Sequence, residues 1–222
     1  MPSSTFKKDL FAQFALVGKS LSNGNRLELL EFLAQGEHSV DQLAKASGLT
    51  VANTSQHLQG LRRSGLVKSR TEGQKSFYSL SDYSVVALLA LLRKIAKENL
   101  AEIQILIANY LSSKDDLEPI SRDELLKRVK KGAVTVIDVR PKHEYELGHL
   151  QYAINIPLSE LKKELKKLPQ KKEIVAYCRG PHCILSFEAV EQLRSKGYKA
   201  RRLEDGFPEW KLEGLPIEER VN

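Results

Sequence analysis

No apolar run in this 222-residue chain approaches the roughly 20 residues that a helix needs to cross a bilayer. The longest, residues 85–92 and 103–108, are bounded by Arg93, Lys94, Lys97, Glu98 and Glu102, so no membrane partner is expected. The first eight residues hold no apolar stretch followed by a small-residue cleavage site, which makes the reading cytoplasmic. Cysteine is scarce: there are two, Cys178 and Cys183. A cytosolic chain rarely keeps a structural disulfide. With four residues between them, the pair is read either as a reversible disulfide or sulfur-bridged pair, or with Cys183 as a small buried apolar side chain.

What is present fits two folded domains. The length suits two units of about 100 residues each, and 41% hydrophobic with 28% charged residues is ordinary globular composition. The net charge of +7 is compatible with a nucleic-acid partner. Part of it is localised: residues 51–80 carry Arg62, Arg63, Lys68, Arg70 and Lys75 against the single anion Glu72. A second cluster, Lys162, Lys163, Lys166, Lys167, Lys171 and Lys172, reads as the solvated face of a short helix and its exit.

Apolar spacing predicts a helix through Phe6, Leu10, Phe14 and Val17, and another from Leu27 to Leu33. Ser39 followed by Gln42 is a capping box for a short helix to Ala46, and Ser47-Gly48-Leu49-Thr50 connects it to a helix running to Ser64. Two β-favouring runs about Gly73 read as a hairpin. Ser81 and Asp82 then open one long helix through Leu111. The polar stretch ending at Pro119 reads as a linker. Beyond it, buried strands at 133–138 and 173–177 alternate with helical segments, the pattern of a mostly parallel sheet with helices on both faces. The division expected is residues 1–112, a linker at 113–119, and residues 120–222.

The motif at 40–50, then Ser55-Gln56-His57-Leu58, Gly65-Leu66-Val67 and the 73–80 wing, resembles the ArsR-type winged-helix regulators over about residues 6–110. The resemblance implies a mainly α, dimeric domain whose second motif helix enters the major groove of double-stranded DNA. Ser55, Gln56, His57 and Gln59 are the expected base readers, on a helix whose other face carries Val51, Leu58 and Leu61. Arg62, Arg63, Arg70 and Lys75 are the expected phosphate contacts. Residues 36–40 contain no cysteine and the last helix of this half no histidine, so the metal sites of the family are missing. His38 and His57 are read as surface or DNA-facing residues, because a transition-metal site needs three or four donors. No metal or cofactor is expected.

Six segments in order look like a rhodanese domain over about residues 117–219: 137–141, 144–145, 148–150, 153–157, 178–183 and 203–210. The resemblance implies an α/β domain in which Cys178 accepts sulfur as a persulfide from a small donor such as thiosulfate or a persulfide. A cysteine between a strand end and a helix start is favoured as thiolate by loop N–H groups and by the helix N-terminus. Arg179 and His182 are expected to stabilise an anion further. Asp138 and Arg140 are read as an ion pair holding the loop or, less simply, as catalytic. Pro181, Cys183 and Tyr152 depart from the usual pattern and weigh against efficient thiosulfate turnover.

Three functions follow from these residues: a sulfur- or redox-responsive repressor acting as a homodimer on a palindromic operator, a sulfurtransferase tethered to DNA, and a regulator whose second half is a non-catalytic ligand module.

Overall fold

The computed structural model describes residues 3–111 and 118–219. They form two compact units, Met1–Val85 and Val86–Asn222. The compact units divide at Val85–Val86, inside a helix, and most of the linker expected at 113–119 lies outside the described residues.

In the first unit, α1 (Ser3–Leu21) and α2 (Gly24–Leu33) precede β1 (His38–Ser39), α3 (Val40–Ser47), α4 (Val51–Arg63), β2 (Val67–Glu72) and β3 (Lys75–Leu80). Ser39 caps α3 reciprocally with Gln42, and Thr50 accepts from the Asn53 N–H to start α4. Gly48 closes α3 at φ 71°, a left-handed conformation that costs other residues strain. Leu29, Leu30, Leu43, Leu58 and Leu61 are fully buried and lock the helix-turn-helix onto α2. The hairpin is antiparallel from Val67↔Leu80 to Glu72↔Lys75. β1 pairs with β3 and adds a third strand that the sequence reading missed. Two expectations fail here. His38 is not at the surface: it is 3% exposed, and its Nδ1 lies 3.0 Å from the Gly36 carbonyl. Val51 is not on the buried face of α4, being 51% exposed at its first turn.

The single long helix expected to Leu111 is two: α5 (Ser84–Asn99) and α6 (Ala101–Tyr110). Leu100 breaks it with an extended backbone, φ −110° and ψ 109°. The Gln104 side chain donates to the Lys97 carbonyl that the break would leave open.

The rest of the second unit is α7 (Arg122–Lys130), β4 (Val134–Asp138), α8 (Lys142–Leu147), β5 (Gly148–Leu150), β6 (Ala153–Asn155), α9 (Leu158–Glu164), β7 (Glu173–Tyr177), α10 (Ile184–Ser195), β8 (Ala200–Arg202), α11 (Phe207–Leu212) and β9 (Ile217–Glu219). The sheet order is β6-β4-β7-β8, all parallel, with β5 and β9 paired apart from it. Strand alternation splits the core. Ile174, Ala176 and Cys178 join one apolar cluster, while Val175 and Tyr177 join the other with Trp210 and Phe207. Cys178 therefore leaves β7 pointing to the same side as α10, which begins six residues later.

Candidate functional site

The carboxyl end of β7 delivers Cys178 into a short loop that Cys183 closes at the N-cap of α10. The two sulfurs are joined in a disulfide, with Cα atoms 6.2 Å apart. Cys178 is 1% and Cys183 9% exposed, so the bridged form withdraws both from solvent. The loop is pinned at each end: the Cys183 N–H donates to the Gly180 carbonyl at 3.2 Å, and the Phe207 N–H donates to the Cys178 carbonyl at 3.1 Å.

Side chains brace the loop from beneath. Arg179 forks onto Glu144, a buried carboxylate of α8, with N–O distances of 2.6–3.1 Å. This charge-assisted fork fixes the guanidinium beside the loop. At His182, burial lowers the pKa first, and Lys97, Arg93 and Arg202 lower it further, so its surroundings disfavour the imidazolium.

Asp138 and Arg140 sit at the end of β4, both fully buried and joined at 2.6–3.1 Å. Arg140 also donates to the Gly148 carbonyl at 2.7 Å, and the Tyr177 hydroxyl donates to Asp138 at 2.5 Å. Burial works against the guanidinium's charge, but Asp138 outweighs it and holds the Arg140 pKa above its ordinary value. Burial, then Asp138, pushes the Tyr177 hydroxyl well above a phenol's usual range. These groups form a saturated buried network under β4 and β7.

On α4, Gln56 and Gln59 are exposed and Ser55 and His57 half-buried, while Thr54, Leu58 and Leu61 are buried. Arg62 and Arg63 are exposed in the last turn, with Arg62 donating to Ser69 Oγ at 3.1 Å. Lys75 is exposed at the hairpin. Arg70 differs: it is forked onto Glu37 and also bonded to Glu72, which raise its pKa. Among the described residues no set of three or more His, Cys, Asp or Glu side chains is arranged to hold a metal ion.

Residues 23–69 match the family model of the bacterial regulatory protein arsR family, and residues 121–213 that of the rhodanese-like domain. Over 213 residues the chain is 44% identical to the HTH-type transcriptional regulator Rv0324 of Mycobacterium tuberculosis, covering 96% of this chain and 93% of that one. The chain belongs to the ArsR-type transcriptional regulators and carries a rhodanese-like domain. The regulator is also 31% identical to the thiosulfate sulfurtransferase GlpE of Coxiella burnetii over 93 residues, 41% of this chain and 85% of that one. The homodimeric winged helix-turn-helix DNA-binding domain of a Mycobacterium bovis protein is 42% identical, with a TM-score of 0.40, covering 42% of this chain and 87% of that one.

The residues that sequence reasoning passed over are those that hold the regulator's loop rather than line it. Glu144 lies 35 positions from Arg179 and Tyr177 39 from Asp138, so neither partnership has a local signal. Gly206 falls in the 203–210 segment of the rhodanese resemblance, but its own role was not singled out. In space, a Cβ there would meet the Gly180 nitrogen at 2.3 Å, so α11 approaches the loop as closely as backbone allows.

Proposed function

We propose that the regulator is a homodimeric, sulfur-responsive repressor in which Cys178 is the sensing thiol and Cys183 resolves it. The observation that carries this reading is the disulfide between the two cysteines, in one loop at the start of α10. The Cys178 thiolate attacks the terminal sulfur of a low-molecular-weight persulfide and expels the donor's thiolate. The Cys183 thiolate then attacks the Cys178 sulfur and expels hydrosulfide, leaving the disulfide. The two thiols are oxidised by two electrons and the sulfane sulfur is reduced to sulfide. DNA is contacted by α4, with Gln56 and Gln59 reading bases, Ser55 and His57 beside them, and Arg62, Arg63 and Lys75 on phosphates.

Operator affinity of the reduced protein and of polysulfide-treated protein tests the reading, repeated with Cys178→Ser and Cys183→Ser. Treatment is expected to change wild-type affinity about tenfold, a coupling of ~1.4 kcal/mol, and to leave both variants unresponsive. Unchanged wild-type affinity while mass spectrometry shows Cys178 modified overturns the sensor. Steady turnover of thiosulfate under those conditions then favours a sulfurtransferase held on DNA.

A further inference from the structure

Glycine is the poorest helix former after proline, yet Gly60 stands inside α4, the helix assigned above to DNA. The space its missing side chain leaves is taken by Arg26, from the first turn of α2. A Cβ at position 60 would lie 3.1 Å from Arg26 Nη2, 3.2 Å from its Cζ and 3.6 Å from its Nε, so the guanidinium rests in the notch that the glycine opens. That notch is on the side of α4 that carries DNA contacts in the reading above. Gln56 precedes Gly60 by four residues and Arg63 follows it by three, spacings that set the three side by side on the helix surface, and Gln56 and Arg63 are both exposed. Thr54, Leu58 and Leu61 occupy a different face, against the core.

Arg26 has no counter-charge in this place. α4 contains no acidic residue and neither does the first turn of α2, while Glu28, two positions on, projects from the other side of that helix. Unlike Arg70, Arg26 makes no ion pair among the described residues. Its Nε, shielded from solvent, has no hydrogen-bond partner there either. A desolvated donor without an acceptor is unfavourable. A guanidinium in that state beside a DNA-reading face is short of one anion, and the anion that such a face meets is a backbone phosphate.

We infer that Arg26 is a further DNA contact, reaching a backbone phosphate across the notch at Gly60, next to the base pair that Gln56 meets. Phosphate contacts fix register, and this one would tie the position of α4 on the duplex to the core helix on which it packs. The inference rests on the reading that α4 lies in the major groove and is independent of the cysteines.

Fluorescence anisotropy of the full-length protein on the operator and on a random-sequence duplex, over a range of salt, tests it. Arg26→Gln is expected to lose about tenfold in affinity on both duplexes and to flatten the salt slope by about one unit, whereas Arg26→Lys keeps the slope. Gly60→Ala is expected to raise the melting temperature, because alanine favours helix and the tip of Arg26 can move aside. It should nevertheless weaken DNA binding several-fold, since the displaced tip no longer meets its phosphate. In the Arg26→Gln, Gly60→Ala double variant the alanine should cost no further affinity. An unchanged salt slope in Arg26→Gln, or an alanine penalty of full size in the double variant, overturns the inference. If Arg26→Gln flattens the slope while Gln56→Ala and Arg62→Ala are silent, the Arg26 contact stands and the placement of α4 falls. If those two respond and Arg26→Gln does not, the placement stands and the Arg26 contact falls.

Discussion

Gly206 is the residue on which the shape of the cysteine loop turns. Its backbone N–H is held by Glu209 at 3.1 Å, and the space where a side chain would begin is filled by the Arg179 carbonyl and the Gly180 nitrogen. These are backbone atoms and cannot swing aside as a flexible side chain can. Gly206→Ala is expected to cost ~1–3 kcal/mol by overpacking and to speed reductive opening of the Cys178–Cys183 bridge. Thermal melting and the rate of thiol release measure the two effects. A variant with wild-type values of both would show that the loop and α11 can separate freely. Arg179 belongs to the same scale. A cation next to a cysteine invites a catalytic reading, yet burial of Glu144 makes Arg179 its partner, because leaving a buried carboxylate unpaired is costly.

At the scale of elements, α4 and the hairpin divide their tasks by charge state. Arg62 donates to the neutral Ser69 hydroxyl, whereas Arg70 sits between Glu37 and Glu72. Arg62→Ala is expected to weaken binding to all DNA sequences and reduce the salt slope by about one unit. Arg70→Ala should do less, since a phosphate must compete with two carboxylates. Gln56→Ala should instead relax preference at one base pair by ~1–3 kcal/mol. Salt-dependent titrations on operator and random DNA separate these cases, and an Arg70 effect equal to that of Arg62 would refute the competition.

The same scale shows what could be read beforehand. α3, α4 and the hairpin carry their own signals in Ser39, Gln42, Thr50 and Gly73, and β4 and β7 are apolar runs that only a covered sheet explains. The break at Leu100 carries none, because leucine there satisfies helical periodicity as well as its neighbours do. β1, β5 and β9 are two or three residues long, too short for a period of two to stand out in the sequence. His38 was misplaced for that reason: its burial comes from pairing opposite Tyr78, forty residues on.

For the whole molecule, α1 poses the question of assembly. Phe6, Phe11 and Phe14 are 65%, 59% and 59% exposed, an apolar surface that a lone winged-helix unit leaves to water. Burying a phenylalanine contributes about 1.5–3 kcal/mol, so a two-fold pairing that covers several is stable at micromolar concentration. Light scattering is expected to give a dimer for the wild type and a monomer for Phe11→Glu combined with Phe14→Glu. A monomeric wild type would remove the basis for a palindromic operator with half-sites ~10 base pairs apart.

The two thiols sit five positions apart on one loop, so each is the other's neighbour at a local concentration that no free thiol in solution approaches. Closure is first order and independent of how many copies of the protein are present. In the sensor proposed above, such a loop would report a ratio, oxidised to reduced sulfur, and not an amount. The groups that brace this single turn of chain, Glu144 and Gly206, lie in the rhodanese-like domain, so changes to them leave α4 and the hairpin untouched.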